Sequence, residues 1–392
     1  MPKLTCRCMP RLDGASPTEL ARIFPEPSVT PALLFLLQES GITGFKLSSI
    51  VVFQDAVPIL LLPLFETRFD LSAFVEGRLK TVLKVAGRLL PSLFHPRVLS
   101  VGSLLGGWSE IGIDPHIDAE THNVAFKMAL SALHTLAVEH KSDILACYNF
   151  NQYGKLPAAL CQEFNRVPYR SCACLAIDFN SIEEYLARLS RGARRDLRRK
   201  MRVAPQVRVR GSRTIAPYLE RIYRLYLETV ARSPMALGTL SLRFFETICE
   251  DVPGAEYRLY FVQEELVAFN LLVVQEDRLV DLFFCMDYGL GREYNLYVLS
   301  WIENVRTCIE QKIPLYYAGQ GTEKTKTHLG ATFIPSFMLF RHRNPVLDRL
   351  LIWPHAMTGK LLSRLGFWPA QSAAAPLQPI PSPPGRRWPK AG

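Results

Sequence analysis

Apolar and polar positions change period several times along this chain, and each change marks an element. Residues 45–53 and 57–65 are two apolar, partly β-branched runs broken by Gln54 and Asp55, the pattern of a hairpin. Residues 78–93 place Leu79, Val82, Leu83, Val85 and Leu89 at helical spacing with Lys80, Lys84 and Arg88 between them, which predicts a helix with a basic outer face. Strand character returns over 95–113 around Gly106 and Gly107. Residues 119–140 carry the stripe Val124, Met128, Leu133, Leu136 and Ala137 of a long helix, and 144–150 reads as a buried strand.

The second half repeats the theme. Residues 172–179 predict a strand, and Ser181 with Glu184 forms a capping-box signature at a helix start. The helix that follows has Ile182, Leu186, Leu189, Ala193 and Leu197 on one side and Arg191, Arg194, Arg195, Arg198, Arg199 and Arg202 on the other. A short strand is expected at 206–211 and amphipathic helices at 215–230 and 242–250. Strands at 257–263, 266–275 and 279–286 are separated by short turns at Glu264-Glu265 and Glu276-Asp277, so they are expected to be antiparallel neighbours. Asp287 to Arg292 leads into a helix with the core stripe Val298, Ile302, Val305 and Ile309, followed by strands at 314–318 and 333–341. From Pro369 the chain is rich in Pro, Ala and Ser, and a disordered tail is expected.

The length of 392 residues exceeds what one core usually organises. The expected division is a lobe over 1–165, a second over 166–350, and a helical end with the Pro-rich tail over 351–392. No apolar run approaches the roughly 20 residues that span a bilayer, and the N-terminus lacks a signal-peptide pattern, so a cytoplasmic protein is expected. The nine cysteines form no framework, and the CxC pairs Cys6/Cys8 and Cys172/Cys174 have no matching second pair, so no metal site is expected.

The net charge of +10 is local. Residues 188–213 hold eleven Lys and Arg against one acid, Asp196, and the rest of the chain is close to balanced. A phosphate-bearing partner on one surface is the implication, with Arg194, Arg195 and Arg198 as candidates, against the alternative of a solvated or membrane-facing basic face.

Two halves with an antiparallel meander, a glycine-containing turn, a helix and further strands resemble the double-lobed FemAB-like and CelD/BioF-like acyltransferases of the GNAT superfamily. The segment Gly319-Gln320-Gly321-Thr322-Glu323-Lys324-Thr325-Lys326-Thr327-His328-Leu329-Gly330 is similar to their Gly-Gln, Lys, Leu-Gly pattern. Arg341-His342-Arg343-Asn344-Pro345 and the basic run Arg194 to Arg199 resemble further segments of the family. The resemblance implies an α/β (α+β) chain of two tandem GNAT-like domains, with mixed, mostly antiparallel sheets flanked by helices. It also implies an N-acyltransferase with acyl-CoA as co-substrate and an amine acceptor. Glu323 stands where many relatives have Tyr, and the turn at 289–295 lacks the usual Arg/Gln-x-x-Gly-x-Gly/Ala loop.

Acyl transfer to an amine needs a held carbonyl, a proton acceptor and oxyanion donors. The expected donor cleft lies between the strands 266–275 and 279–286. Gly289, Gly291, Arg292 and Asn295 are the candidates for presenting amides and charge to a phosphate there. Strict alternation along 279–286 puts Asp281, Phe283, Cys285 and Asp287 on one face, with Asp281 a candidate base or a residue of a solvated strand end. Gln320 is expected to orient a substrate and Lys326 to neutralise an anionic group, with Glu323 a further acid/base candidate. An aminoacyl-tRNA-dependent ligase, with the basic helix along an RNA backbone, is the alternative enzyme. A degenerate scaffold on an anionic lipid or glycan precursor is the alternative without catalysis.

Overall fold

A computed structural model describes residues 3–12, 17–24, 28, 30–69, 95–151, 163–232 and 238–349. The helix expected at 78–93 and the tail beyond 349 lie outside the described residues. The chain divides into two compact units. Unit 1 takes the described residues up to Tyr169, except for Leu105–Gly107, together with those from Ser336 to Arg349. Unit 2 takes Leu105–Gly107 and Arg170–Pro335.

Unit 1 is built on β1 (Leu4–Met9), β2 (Phe45–Gln54), β3 (Val57–Arg68), β4 (Arg97–Val101) and β6 (Ile144–Asn151) in that spatial order, with β5 (Gly112–Ile113) beside β3. The expected hairpin is β2 with β3, paired from Phe45↔Thr67 to Gln54↔Val57. Its near-continuous apolar character follows from burial on both faces. Ile50, Val52, Leu60 and Leu62 pack under the helix α3 (Ala119–Glu139), while Val51 and Leu61 meet Leu20 of α1 (Pro17–Ala21), Ile23 and Phe24 just after it, and Leu34 of α2 (Thr30–Ser40). Asp118 caps α3 by accepting from the Thr121 amide at 2.8 Å. β4 and β6, which precede and follow α3 in sequence, pair parallel with each other, and the end of the last strand, from Ser336 to His342, pairs antiparallel with β6.

Unit 2 holds the ordered strands β7 (Asn165–Ala176, in this unit from Arg170), β12 (Leu315–Gly319), β11 (Leu279–Met286), β10 (Glu265–Val274), β9 (Ala255–Val262) and β8 (Val207–Ser212). The meander expected from the short turns is present as β9, β10 and β11, all antiparallel. α6 (Leu219–Arg232) and α7 (Leu242–Asp251) pack on one face of it, and α9 (Leu296–Glu310) packs on the other through Val298, Trp301, Ile302 and Val305.

The expected long basic helix is two. α4 (Ile182–Arg188) stops where Leu189 turns extended, and α5 (Arg191–Lys200) starts anew because the Ser190 hydroxyl accepts from the Ala193 amide. A second serine cap inside an otherwise helical stripe competes with continuation of the helix. The Ser181 hydroxyl does cap α4 through the Glu184 amide, but the Glu184 carboxylate reaches back to Asn180 N rather than to the Ser181 amide. Two short helices complete this unit, α8 (Tyr288–Glu293) and α10 (Glu323–His328), before β13 (Thr332–His342).

Candidate active site in the second unit

The parallel strands β11 and β12 pair at only two positions, Leu279↔Tyr316 and Val280↔Tyr317, and then part. Two local irregularities separate them. Gly319, at φ 70°, ends β12 in a left-handed turn that glycine adopts without a Cβ penalty. On β11, Leu271 faces Phe283 but Leu272 faces Asp281, so Leu282 is one residue too many and forms a bulge. The wedge between the strands, closed by α9, is a cavity of about 230 Å³.

This corrects two expectations. The splay lies between β11 and β12; β10 and β11 stay paired from Ala268↔Met286 to Val274↔Leu279. The bulge also breaks the alternation. Phe283 packs against Tyr226, Phe244 and Phe245 on the face of α6 and α7, whereas Asp281 and Phe284 line the cavity under α9.

Asp281 sits where the wedge begins, and three donors converge on it. Asn270 Nδ2 donates to Oδ1 at 3.1 Å, while the Tyr316 hydroxyl at 3.0 Å and Asn304 Nδ2 at 3.3 Å donate to Oδ2. The Tyr260 hydroxyl in turn fixes Asn270 by donating to its Oδ1 at 2.9 Å. Burial pushes the Asp281 carboxyl up to about 6, against the hydrogen bonds and the nearby Lys326 charge, which pull it down. Asp281 is therefore an enclosed carboxylate with a near-neutral pKa. It is not a residue of a solvated strand end.

Lys326, on the first turns of α10, is 4% exposed. Its ammonium donates to the carbonyls of Ala318 at 2.7 Å, Gly319 at 3.1 Å and Gln320 at 3.0 Å. Those are all the protons it has. The charge therefore fastens the turn after β12 and has no donor left for a ligand, although the side chain borders the cavity. Burial lowers its pKa and Asp281 raises it. Gln320 also lines the cavity, and its Nε2 donates to Arg170 O at 2.9 Å. Glu323 is exposed at the start of α10 and is not among the cavity's lining residues.

In the turn after β11 the amides of Gly289, Leu290 and Gly291 are already taken. Asp287 caps α8, its Oδ1 accepting from the amides of Gly289 at 2.9 Å and Leu290 at 3.2 Å, and its backbone carbonyl accepts from Gly291 N at 2.7 Å. Gly291 serves packing, since a Cβ there would lie 2.5 Å from Met286 Sδ. Arg292 is exposed, and Asn295 begins α9 in a left-handed conformation without a side-chain cap bond. These residues do not fit the pyrophosphate of a CoA donor at 287–292, because a carboxylate already holds the amides that a phosphate would need. Arg194, Arg195 and Arg198 on α5 have no partner among the described residues, whereas Asp196 is held by Arg199 and Lys200, both at 2.7 Å.

Asn270, Asn304, Tyr316, Tyr297 and Trp301 complete the site and were not singled out from the sequence. A polar residue inside an apolar strand was the available signal for Asn270, which is fully buried in Leu266–Val274, and the same holds for Asn304 on the apolar side of α9.

The equivalent place in unit 1 is filled by its own chain. β4 and β6 pair as far as Val101↔Cys147. Beyond that, the Ser109 amide donates to Asn149 O at 2.8 Å and its hydroxyl accepts from Ser103 N at 2.9 Å.

No family model matches this sequence, and no curated protein matches it. Solved structures do. The C-terminal domain of a candidate lysylphosphatidylglycerol synthetase from Agrobacterium fabrum superposes with a TM-score of 0.53 at 10% identity, over 87% of this chain and 95% of that one. FemX gives 0.53 at 12% identity, over 88% and 99%. A tandem GNAT protein of the clavulanic acid biosynthesis pathway gives 0.50 at 11% identity, again over 88% and 99%. At these identities the likeness establishes architecture: the chain has the tandem GNAT-type fold.

Proposed function

We propose that this protein is a transferase of the N-acyl type, moving an acyl group from an activated donor to an amine, with the reacting atoms in the unit 2 wedge. The observation that carries the reading is the enclosed carboxylate of Asp281 where β11 and β12 part. The new N–C bond forms as the acyl–sulfur or acyl–oxygen bond of the donor breaks, and Asp281 takes the proton released by the amine nitrogen; that proton ends on the departing sulfur or oxygen. A base with a pKa near 6 is ionised at neutral pH and strong enough for that role. Tyr316 and Asn304 orient the carboxylate, while Lys326 holds Gln320 and the turn that borders the donor. Glu323, exposed outside the wedge, keeps only a distant acid/base part. An acyl-CoA would have to place its phosphates elsewhere than at 287–292, with Asn295 and the arginines of α5 as the remaining candidates.

A second reading is favoured by α5. Arg194, Arg195 and Arg198 form an unneutralised strip that suits an RNA backbone, so an aminoacyl-tRNA donor is the alternative, and an anionic membrane surface the further one. Thermal-shift measurements with acetyl-CoA, longer acyl-CoAs and charged tRNA, followed by mass-spectrometric detection of an acylated amine, test both. Stabilisation by one donor class with product formation supports that donor. Failure of every donor to bind or react refutes the transferase reading.

A further inference from the structure

The cavity in unit 2 has a carboxylate as its floor and aromatic rings as its walls. An ionised carboxylate offers about four acceptor directions, and Asp281 spends three of them on Asn270, Asn304 and Tyr316. The walls are two edge-to-face pairs. Phe284 and Tyr297 have centroids 5.8 Å apart, and Trp301 and Tyr316 have centroids 4.9 Å apart. Hydrogen bonds fix three of these rings: Trp301 Nε1 donates to the Tyr185 hydroxyl at 3.0 Å, Tyr316 donates to Asp281, and the Tyr297 hydroxyl shares a 2.9 Å bond with Thr322. Ring faces and a carboxylate both attract cations. Among the described residues Lys326 is the one cation lining the cavity, and its protons are committed to main-chain carbonyls. At about 230 Å³ the space has room for roughly seven water-sized groups, enough for a head group and too small for a whole ligand.

We infer that this cavity binds its ligand by a small primary ammonium head, seated against Asp281 between the rings of Phe284, Tyr297, Trp301 and Tyr316. The inference rests on the acyl-transfer reading only for what the head belongs to, either the acceptor amine or an amino group carried by the acyl donor. A plain alkyl chain in the same place would strip water from the carboxylate and return no hydrogen bond, which is costly.

Binding of n-butylammonium chloride, glycine methyl ester hydrochloride and the neutral n-butanol at pH 7.5, followed by ligand-observed NMR, tests it. The two ammonium probes are expected to bind at least tenfold more tightly than n-butanol. Phe284→Leu is expected to weaken them severalfold and Asp281→Asn by tenfold or more, with n-butanol unchanged and the fold checked by circular dichroism. Tighter binding of the ester assigns the head to the donor, and tighter binding of butylammonium assigns it to the acceptor. Equal affinity for n-butanol and n-butylammonium, or undiminished ammonium binding in the folded Phe284→Leu protein, overturns the inference. Ammonium selectivity without transfer from any donor would leave this inference standing and remove the acyl-transfer reading. Transfer without ammonium selectivity would do the reverse.

Discussion

The hydroxyl of Tyr316 donates to Oδ2 of Asp281 at 3.0 Å from the neighbouring strand, and it accepts in turn from Asn304 Nδ2 at 2.9 Å. One phenol thus ties both sides of the wedge to the carboxylate, and its bond holds the Asp281 pKa below the value that burial alone would give.

Activity is therefore expected to rise with pH through a midpoint near 6, as Asp281 ionises. Tyr316→Phe removes a donor to the ionised form, so the midpoint of kcat/KM moves upward while the alkaline plateau falls. An unshifted acidic limb in this variant would show that the limb belongs to another group.

The same carboxyl links folding to pH. Its folded value of about 6 lies above the ordinary 3.8, so its contribution is fully present below pH 4 and is lost as pH rises through 6. At about 1.4 kcal/mol per unit, the loss is roughly 3 kcal/mol. Urea unfolding of wild type and Asp281→Asn at pH 4 and pH 7.5 measures it, the expectation being that wild type loses ground relative to the variant between the two. A difference independent of pH would place the titration elsewhere.

Lys326→Met is expected to act on stability first. It leaves the carbonyls of Ala318, Gly319 and Gln320 without their shared donor, at a cost of about 3 kcal/mol for buried polar groups. Had Lys326 only neutralised an anionic group of a ligand, as its motif suggests, turnover would fall with Tm little changed. The geometry gives lowered Tm together with lowered activity, and a variant with unchanged Tm would contradict the fastening role.

Replacing Arg194, Arg195 and Arg198 by Gln removes three exposed or half-buried charges without a partner among the described residues. Tm should stay within about a degree or rise slightly, as like charges separate. Affinity for an anionic partner should fall severalfold at low salt, with a shallower salt dependence in fluorescence anisotropy with labelled RNA. Identical salt slopes for the two proteins would exclude this face.

The parts of the fold that were legible in the sequence are those governed by short-range rules. Short turns gave the β9–β10–β11 meander, and 3.6-residue stripes gave α3, α6, α7 and α9. What escaped is what depends on partners distant in sequence. Nothing local announces that Ser336 to His342 leaves unit 2 and joins β6, or that the strands that part are β11 and β12, 35 residues apart at the bonded pair Tyr316 and Asp281. Asp281 was identifiable as a candidate, but its surroundings were not, because Asn270, Asn304 and Tyr316 come from three other elements. Lys326 stood out by its place in a resembling motif, which suggested an anionic ligand as its partner. Its work could be read only from the three carbonyls around its ammonium.

The extra residue at Leu282 makes the site a matter of counting as much as of chemistry. Deleting Leu282 would restore even pairing with β10 and leave Asp281 opposite Leu272 and Phe283 opposite Leu271, each on its present face, because neighbours on a strand alternate. What the deletion would remove is the extra residue that bends β11 where it leaves β12. The bulge therefore serves the divergence of the two strands, and a regular β11 should go on pairing with β12 beyond Val280 and close the wedge.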